Sequence, residues 1–296
     1  MADQIYDIGS GRTYSTLQAA ITAAIAAGVT ADDYYFQIYG QVTGASTIGS
    51  DDLDTTATHI YIEGMTADAE LLNTSNYQVT LTILWVQDQL TIRNLKITES
   101  GTNSSALFLN SNGANPEIHR CRISGVAGIN KFGTGTKITS SIIENCSDAG
   151  IVHAFSGAQI QLSQIDFLNN NSAITGVAGI TYNGDSCVFY GNTTDWDGTG
   201  TWSGDYNASD GTAPGTNGID SLTSAAFNNA AGGDYSLSGT GSVLYHAGVP
   251  IAGLTEDFVG NTFDASTPSV GAYEYLTAGA GLPPSIFQNS NQQVLT

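Results

Sequence analysis

Basic side chains are scarce in this sequence: Lys and Arg total seven against 27 Asp and Glu, and none occurs after Lys137. The net charge is −20. A surface of that sign repels phosphate backbones and anionic lipid, which excludes nucleic acid and membrane as partners. It also repels acidic glycans unless cations bridge, and it favours solubility. Cysteine is scarce as well. Cys121, Cys146 and Cys187 are odd in number and match no zinc spacing, so no complete disulfide framework is available and buried free thiols are expected. The segment IAAGV is far too short to span a bilayer. The opening MADQIYDIGSG has no basic stretch leading into an apolar one, so no signal peptide is expected. The chain is then expected in the cytoplasm where it is made, or outside by a route such as cell lysis. Charged residues make up only 11%, while 41% apolar and 9% aromatic residues exclude a disordered chain.

What is present is a short unit written about five times between Leu90 and Asn192: LTIRNLKI (90–97), PEIHRCRI (116–123), TKITSSII (136–143), AQIQLSQIDF (158–167) and AGITYNGDSCVF (178–189). Ile92, Ile118, Ile138, Ile160 and Ile180 form one apolar column, and Ile97, Ile123, Ile143, Ile165 and Val188 a second. Each unit alternates in and out and is followed by Gly, Asn and Ser, residues that suit tight turns. A strand this short cannot bury its apolar face alone, whereas stacked copies bury a continuous core. With strand-type alternation and no helical period between copies, the pattern predicts an all-β chain, a right-handed parallel β-helix. YYFQIYGQVT (34–43), THIYIEG (58–64) and YQVTLTILWV (77–86) read as earlier rungs.

Ahead of the rungs, Ser15 or Thr16 can cap a helix that Gly28 stops, with Leu17, Ala20, Ile21, Ala24 and Ile25 as its apolar stripe. The run DIGSGRTYSTLQAAITAA resembles the opening of pectin-lyase-like right-handed β-helix proteins, in which such a helix caps the first coil. That family includes esterases, lyases, hydrolases and virion proteins. The expected organisation is residues 1–30 for the opening strand and capping α-helix and 31–191 for the rungs. A Gly/Asp/Thr-rich excursion from the wall is expected over 192–220, and its piece DYNASDGTAPGTN resembles a segment of bacterial-surface and phage β-helix proteins. Residues 221–276 form a C-terminal module. There Phe227, Asp234, Tyr235, Leu237, Ser242, Gly248, Asp257, Phe258, Gly260, Asn261, Gly271, Ala272, Tyr273 and Glu274 resemble the terminal module of choice-of-anchor Q type β-helix proteins. The resemblance implies a segment that finishes the β-helix. Phe263 stands where that family has Arg, which removes an ion-pair partner for Glu274. Residues 277–296 form a tail whose apolar points Ile286, Phe287, Val294 and Leu295 are expected to dock on a partner.

Chemistry is sparser. Lyases on this fold use a basic residue, often with calcium, and the candidates are Arg93, Lys96, Arg120, Arg122, Lys131 and Lys137. Lys96 and Arg122 fall at one place on adjacent rungs, about 4.8 Å apart, as do Arg93 and His119. Such a ladder would bind an anion, or would simply offset Glu99 and Glu117. Glu144 and Asp166 share a register that would set them about 5–5.5 Å apart, the separation of a retaining glycosidase pair, unless both are merely solvated. Trp196, Trp202 and Tyr206 are candidate sugar-stacking residues. Asp195, Asp197, Asp205, Asn207, Ser209 and Asp210 invite calcium, but counting from Asp205 the sixth and twelfth places hold Asp210 and Thr216, not the Gly and Glu of an EF-type loop. No other cofactor or metal site is expected.

Two functions follow. One is a non-enzymatic structural or interaction protein: a phage virion component, a capsid decoration or spike protein, made in the host cytoplasm, self-associating and docking on a capsid protein. The other is a polysaccharide-active enzyme or glycan-binding adhesin acting on a surface glycan.

Overall fold

The computed structural model describes residues 3–27, 33–44, 47–48, 59–73, 79–83, 89–101, 105–111, 116–133, 135–153 and 159–276. The docking residues Ile286, Phe287, Val294 and Leu295 lie outside the described residues.

The coils from Asp33 to Gly198 carry strands on three faces. The first face stacks Gln4–Gly9, Asp33–Tyr39, His59–Gly64, Gln89–Arg93, Glu117–His119, the opening halves of Thr136–Glu144 and Gln159–Leu168, then Thr181–Asp185 and Thr201–Ser203. The second stacks Gln41–Thr43, Glu70–Asn73, Lys96–Glu99, Arg122–Ser124, the closing halves of the same two long strands, Val188–Tyr190 and Ala208–Ser209. The third stacks Thr47–Ile48, Val79–Ile83, Ser105–Ser111, Ala127–Gly133, Ala149–His153, Ser172–Gly176 and Thr194–Gly198. All these pairings are parallel. The chain is therefore a parallel β-helix, right-handed as parallel crossover connections are.

Alternation places one residue in two inside. One inward column runs Phe36, Ile62, Ile92, Ile118, Ile138 and Leu162, and another runs Ile97, Ile123, Ile143, Phe167 and Phe189. All of these are buried, and Phe167 stacks on Phe189 with ring centroids 5.1 Å apart. Full burial of such a side chain contributes about 1.5–3 kcal/mol. The expected columns hold through the third unit and then slip by two residues. Ile160 lies opposite Thr136 and Ile165 opposite Ser141, while Val188 is displaced by a single place and stands opposite Asp166 on the outer side, with Phe189 taking the inward position. A two-residue slip keeps the same side chains pointing inward, so apolar alternation alone does not choose between the registers. Ile160 and Ile165 are buried in either case.

From the coil of Gln89–Arg93 onward, the corner between the first and second faces turns on one residue of positive φ: Asn94, Arg120, Ser140, Gln164, Ser186 and Tyr206, with φ between 44° and 57°. None is β-branched, consistent with the steric cost of that conformation. The residue after it points inward and closes the corner through hydrogen bonds. Ser141 Oγ accepts from Cys121 N at 3.1 Å, and Asn207 Oδ1 accepts from Cys187 N at 2.9 Å. At the next corner Asn170 Oδ1 accepts from Cys146 N while its Nδ2 donates to Asn192 Oδ1, both at 3.0 Å. All three cysteines are free and buried.

Both ends are covered. Thr16 Oγ1 accepts from Ala19 N and starts the helix Leu17–Ala27, whose Leu17, Ala20, Ile21 and Ala24 join the core beside Tyr6 and Phe36. At the other end the structure corrects the sequence reading. Residues 192–220 do not leave the wall: Thr194–Gly198, Thr201–Ser203 and Ala208–Ser209 form a further coil in register with the one before. Its alternation is hidden because its strands are only five, three and two residues long, and its apolar residues are chiefly Trp196 and Trp202. The two rings meet edge-on at 5.6 Å, and Trp202 lies where a Cβ on Gly184 would stand, 2.0 Å from its ring.

The C-terminal module was expected to finish the β-helix. It instead lies along the outer side of the second face. Leu222, Phe227, Tyr235, Leu244, Phe258 and Val270 bury the outward Ile142, Leu168, Val188 and Ala208 in a second apolar cluster. No helix among the described residues is long and apolar enough to cross a membrane.

Removal of a stacked ring tests the column. Phe167→Ala is expected to cost about 3–5 kcal/mol, and Val177→Ala, on a side chain 42% exposed, within about 0.5 kcal/mol. Urea unfolding followed by circular dichroism measures both, and equal effects would contradict this register.

Candidate functional site

Outward side chains on consecutive coils stand one strand spacing apart, so the outer wall is where chemistry could be assembled. Lys96 and Arg122 are register neighbours there. Each, however, is paired with a carboxylate. Lys96 Nζ lies 2.9 Å from Glu70 Oε1, and Arg122 grips Glu144 through two hydrogen bonds of 2.5 and 2.9 Å. Burial opposes ionisation of Glu70, but donors from Thr98, Lys96 and Gln41 outweigh it and hold its carboxyl below the usual range. Arg93 and His119 are also neighbours. Arg93 binds Glu63, and Lys137 lies 3.7 Å from Glu117. Burial, with Arg120, Arg93 and Lys137 nearby, pushes the His119 imidazole down to about 4, leaving it neutral at pH 7. Lys131 is not on the outer wall. It is buried on the third face opposite His153, and desolvation pushes its ammonium down to about 8.

The expected carboxyl pair does not form. Glu144 lies opposite Leu168, and Asp166 lies opposite Ile142. The two-residue slip described above separates them. Glu144 remains with Arg122, while Asp166 is 2% exposed beneath the C-terminal module and accepts from Ala272 N at 2.8 Å. Burial pushes its carboxyl up to about 7, with the Asp257 charge adding to the rise. Gly271 makes this contact feasible, since a Cβ there would stand 2.4 Å from Asp166 Oδ1 and its φ is +98°. Asp257 is likewise pushed up to about 7 by burial, against donors from Glu274, Asn261 and Val259. Glu274, without an arginine at Phe263, is held by Ser269 N and Oγ at 2.9 and 2.7 Å.

The aromatic candidates also differ from expectation. Trp196 and Trp202 are half-buried and packed edge-on with Tyr182 and Phe189, so their rings close the coil end and present no open stacking platform. Tyr206 is a half-buried corner residue whose N donates to Asp205 Oδ1. The acidic cluster is divided among turns. Asp205 also accepts from Thr216 and Asn217, Asp195 from Ser209 and Asn192, and Asp210 from Gly191 N. Among the described residues no group of three or more His, Cys, Asp or Glu is placed to hold a metal ion.

Two features were missed. On the first face Tyr35 stacks on Tyr61 at 4.6 Å and 7°, His59 stacks on Tyr61 at 4.2 Å, and Arg93 lies 5.1 Å from the Tyr61 ring centre. The signal was available, because YYFQIY and HIYIEG set Tyr35 and Tyr61 one coil apart in register. The second is a hollow of about 290 Å³ between the corner residue Gln164 and the C-terminal module. It arises from two segments distant in sequence and left no sequence signal.

No family model matches the chain, and no curated protein matches it. Among solved structures it is similar to the pectin methylesterase from Aspergillus niger in deglycosylated form, at 12% identity and a TM-score of 0.46, over 70% of this chain and 86% of that one.

The buried acids make a pH prediction. A carboxyl whose folded pKa is about 7 lies above its unfolded value of about 3.9, so the folded state binds more protons between the two. Stability contributed by Asp166 is therefore fully present at low pH and is lost as pH rises from about 4 to 7. Asp205 and Asp264, held low by hydrogen-bond donors, act in the opposite sense and at lower pH. Asp166→Asn is expected to flatten the decline between pH 4 and 7 in melting-temperature measurements; an unchanged slope would contradict this assignment.

Proposed function

We propose that this chain is a non-enzymatic structural and interaction protein, a virion component of the capsid-decoration or spike kind that docks on a larger assembly. The observation that carries the reading is the fate of the acid and base candidates. Lys96, Arg122 and Glu144 are occupied in pairs from coil to coil, and Asp166 is sealed under the C-terminal module. A general base needs an unengaged group within reach of substrate, and a retaining pair needs two facing carboxyls. Inter-coil pairs instead suit a wall whose role is to stay rigid. The virion assignment draws on the resemblance of DYNASDGTAPGTN (205–217) to β-helix proteins of bacterial-surface and phage type, on the pectin-lyase-like opening 7–24 and the choice-of-anchor Q type module 227–275, and on the acidic surface. Self-association and a capsid protein partner belong to this proposal.

A glycan-binding reading of the same wall has its own support in the Tyr35, Tyr61 and His59 strip, where aromatic faces stand beside Arg93 and Glu63.

Turnover of polygalacturonate and methyl-esterified pectin, measured with and without calcium, separates binding from catalysis. No product is expected from the native chain. Turnover that disappears in Arg122→Ala or Glu144→Ala would overturn the non-enzymatic reading. Fractionation of the native source is expected to place the chain with a large particle at fixed copy number, and a freely sedimenting chain would remove the virion assignment.

A further inference from the structure

Gln164 occupies the positive-φ corner of its coil, with φ 55°. Its side chain is directed away from the core and toward the C-terminal module, as those of the neighbouring corner residues are. Arg120 donates to Glu256, Ser140 Oγ donates to Glu256 O, and Ser186 Oγ accepts from Val249 N. Gln164 breaks the series. It is 1% exposed, and its Oε1 has no hydrogen-bond partner among the described residues. Buried amide oxygens are rarely left without a donor, because desolvation is then uncompensated. The Gln164 side chain borders a hollow of about 290 Å³, whose walls are Ile251, Leu254 and Phe263 with Pro250 and Pro268, and its Oε1 is covered as the structure stands. That size is near the lower end of ligand sites, about 300–1,000 Å³, and apolar walls with one placed polar group are their usual makeup.

A second hollow of about 220 Å³ adjoins it, and the two share Thr262 and Asp264. The second presents Tyr245, His246 and Tyr275, with the Tyr245 and Tyr275 rings perpendicular at 6.0 Å. Asp264 is half exposed and accepts from Ser266 and Thr267, and His246 Nε2 lies 3.9 Å from it. Taken together, the first hollow offers apolar walls and a buried acceptor, the shared rim offers hydroxyl and carboxylate oxygens, and the second offers aromatic faces.

We infer that these adjoining hollows form a binding site for a neutral glycan bearing an acetamido group. The acetamido methyl fits the Ile251, Leu254 and Phe263 walls, and its N–H supplies the donor that Gln164 Oε1 lacks once that side chain turns toward the hollow. Ring hydroxyls meet Thr262 and Asp264, and the C–H face of a following sugar packs on Tyr245 and Tyr275, whose rings combine an apolar body with a polar tip. Uronic acids are disfavoured by Asp264, by Glu274 at the second hollow and by the net charge of −20. The site is separate from the paired and buried acid and base candidates of the wall, and it needs neither catalysis nor assembly on a particle.

Saturation-transfer NMR on the full chain tests this, with N-acetylglucosamine, its β1,4-linked disaccharide, glucose, glucosamine and glucuronic acid as probes. Saturable binding is expected for N-acetylglucosamine and at least tenfold tighter binding for the disaccharide, which reaches the second hollow. Glucose, glucosamine and glucuronic acid are expected at least tenfold weaker. Gln164→Met, which keeps the side-chain length and removes the acceptor, is expected to weaken N-acetylglucosamine at least tenfold. Ala265→Phe, on an exposed rim residue, is expected to abolish binding at an unchanged melting temperature and serves if Gln164→Met does not fold. Absence of saturable binding to the native chain, equal binding of glucosamine, or binding unaffected in Ala265→Phe would each overturn the site.

Discussion

From the coil of Gln89–Arg93 onward, a single left-handed residue per coil governs this molecule. At Asn94, Arg120, Ser140, Gln164, Ser186 and Tyr206 the chain takes a positive φ and turns from the first face to the second. The turn keeps the inward residues on either side of it five positions apart, as in Ile92 and Ile97 or Leu162 and Phe167. Columns therefore stay aligned although the loops elsewhere vary in length. The same backbone conformation sends the corner side chain outward while the following residue points in. The inward residues become the internal hydrogen-bonded ladders of Ser141 and Asn207, and the outward ones become the ridge on which the C-terminal module sits.

Electrostatics follows from this geometry. Parallel stacking brings like positions together, so charged residues meet partners one coil away. Glu63 with Arg93, Glu70 with Lys96, and Arg122 with Glu144 are each such pairs. Partly exposed pairs contribute about 0–1 kcal/mol each, but removal of one member leaves a largely buried Glu unpaired, which costs more. A surface with so few cations is thus left with little free positive charge on its wall. Asp166 represents the other outcome: an acid with no cation beside it, kept by burial near the neutral form and anchored by a backbone donor of the module.

The sequence disclosed the architecture because alternation and repeat length report directly on stacking. The capping helix was legible from the Thr16 cap and the small apolar stripe. Register beyond the third unit was not, since Ile160 and Leu162 both point inward and pattern is blind to a shift of two. That shift also undid the Glu144 and Asp166 pair, which depended on register alone. The last coil was read as a departure because its inward residues are tryptophans without the Ile and Val alternation of the coils below. The module's place on the outer wall was hidden for a different reason. Outward Ile142 and Val188 stand in strands that read as two-sided apolar runs, and nothing local states what covers them. The Gln164 hollow shares that difficulty, being formed only when residues 250–268 meet a corner far earlier in the chain.

The clasp between module and ridge has a consequence for how such a protein can change length. A solenoid tolerates gain or loss of whole coils, because each unit contacts only its neighbours. Here the module touches four successive corners, from Arg120 to Ser186, through Arg120, Ser140, Gln164 and Ser186. It acts as a gauge: that portion of the rod has a fixed coil number, because one coil more or fewer would put the wrong corner under each contact. Among the described residues, the coils between the helix Leu17–Ala27 and Arg120 carry no such gauge. Variation in the reach of the rod is therefore confined to its amino-terminal half, while the carboxy-terminal half keeps constant dimensions.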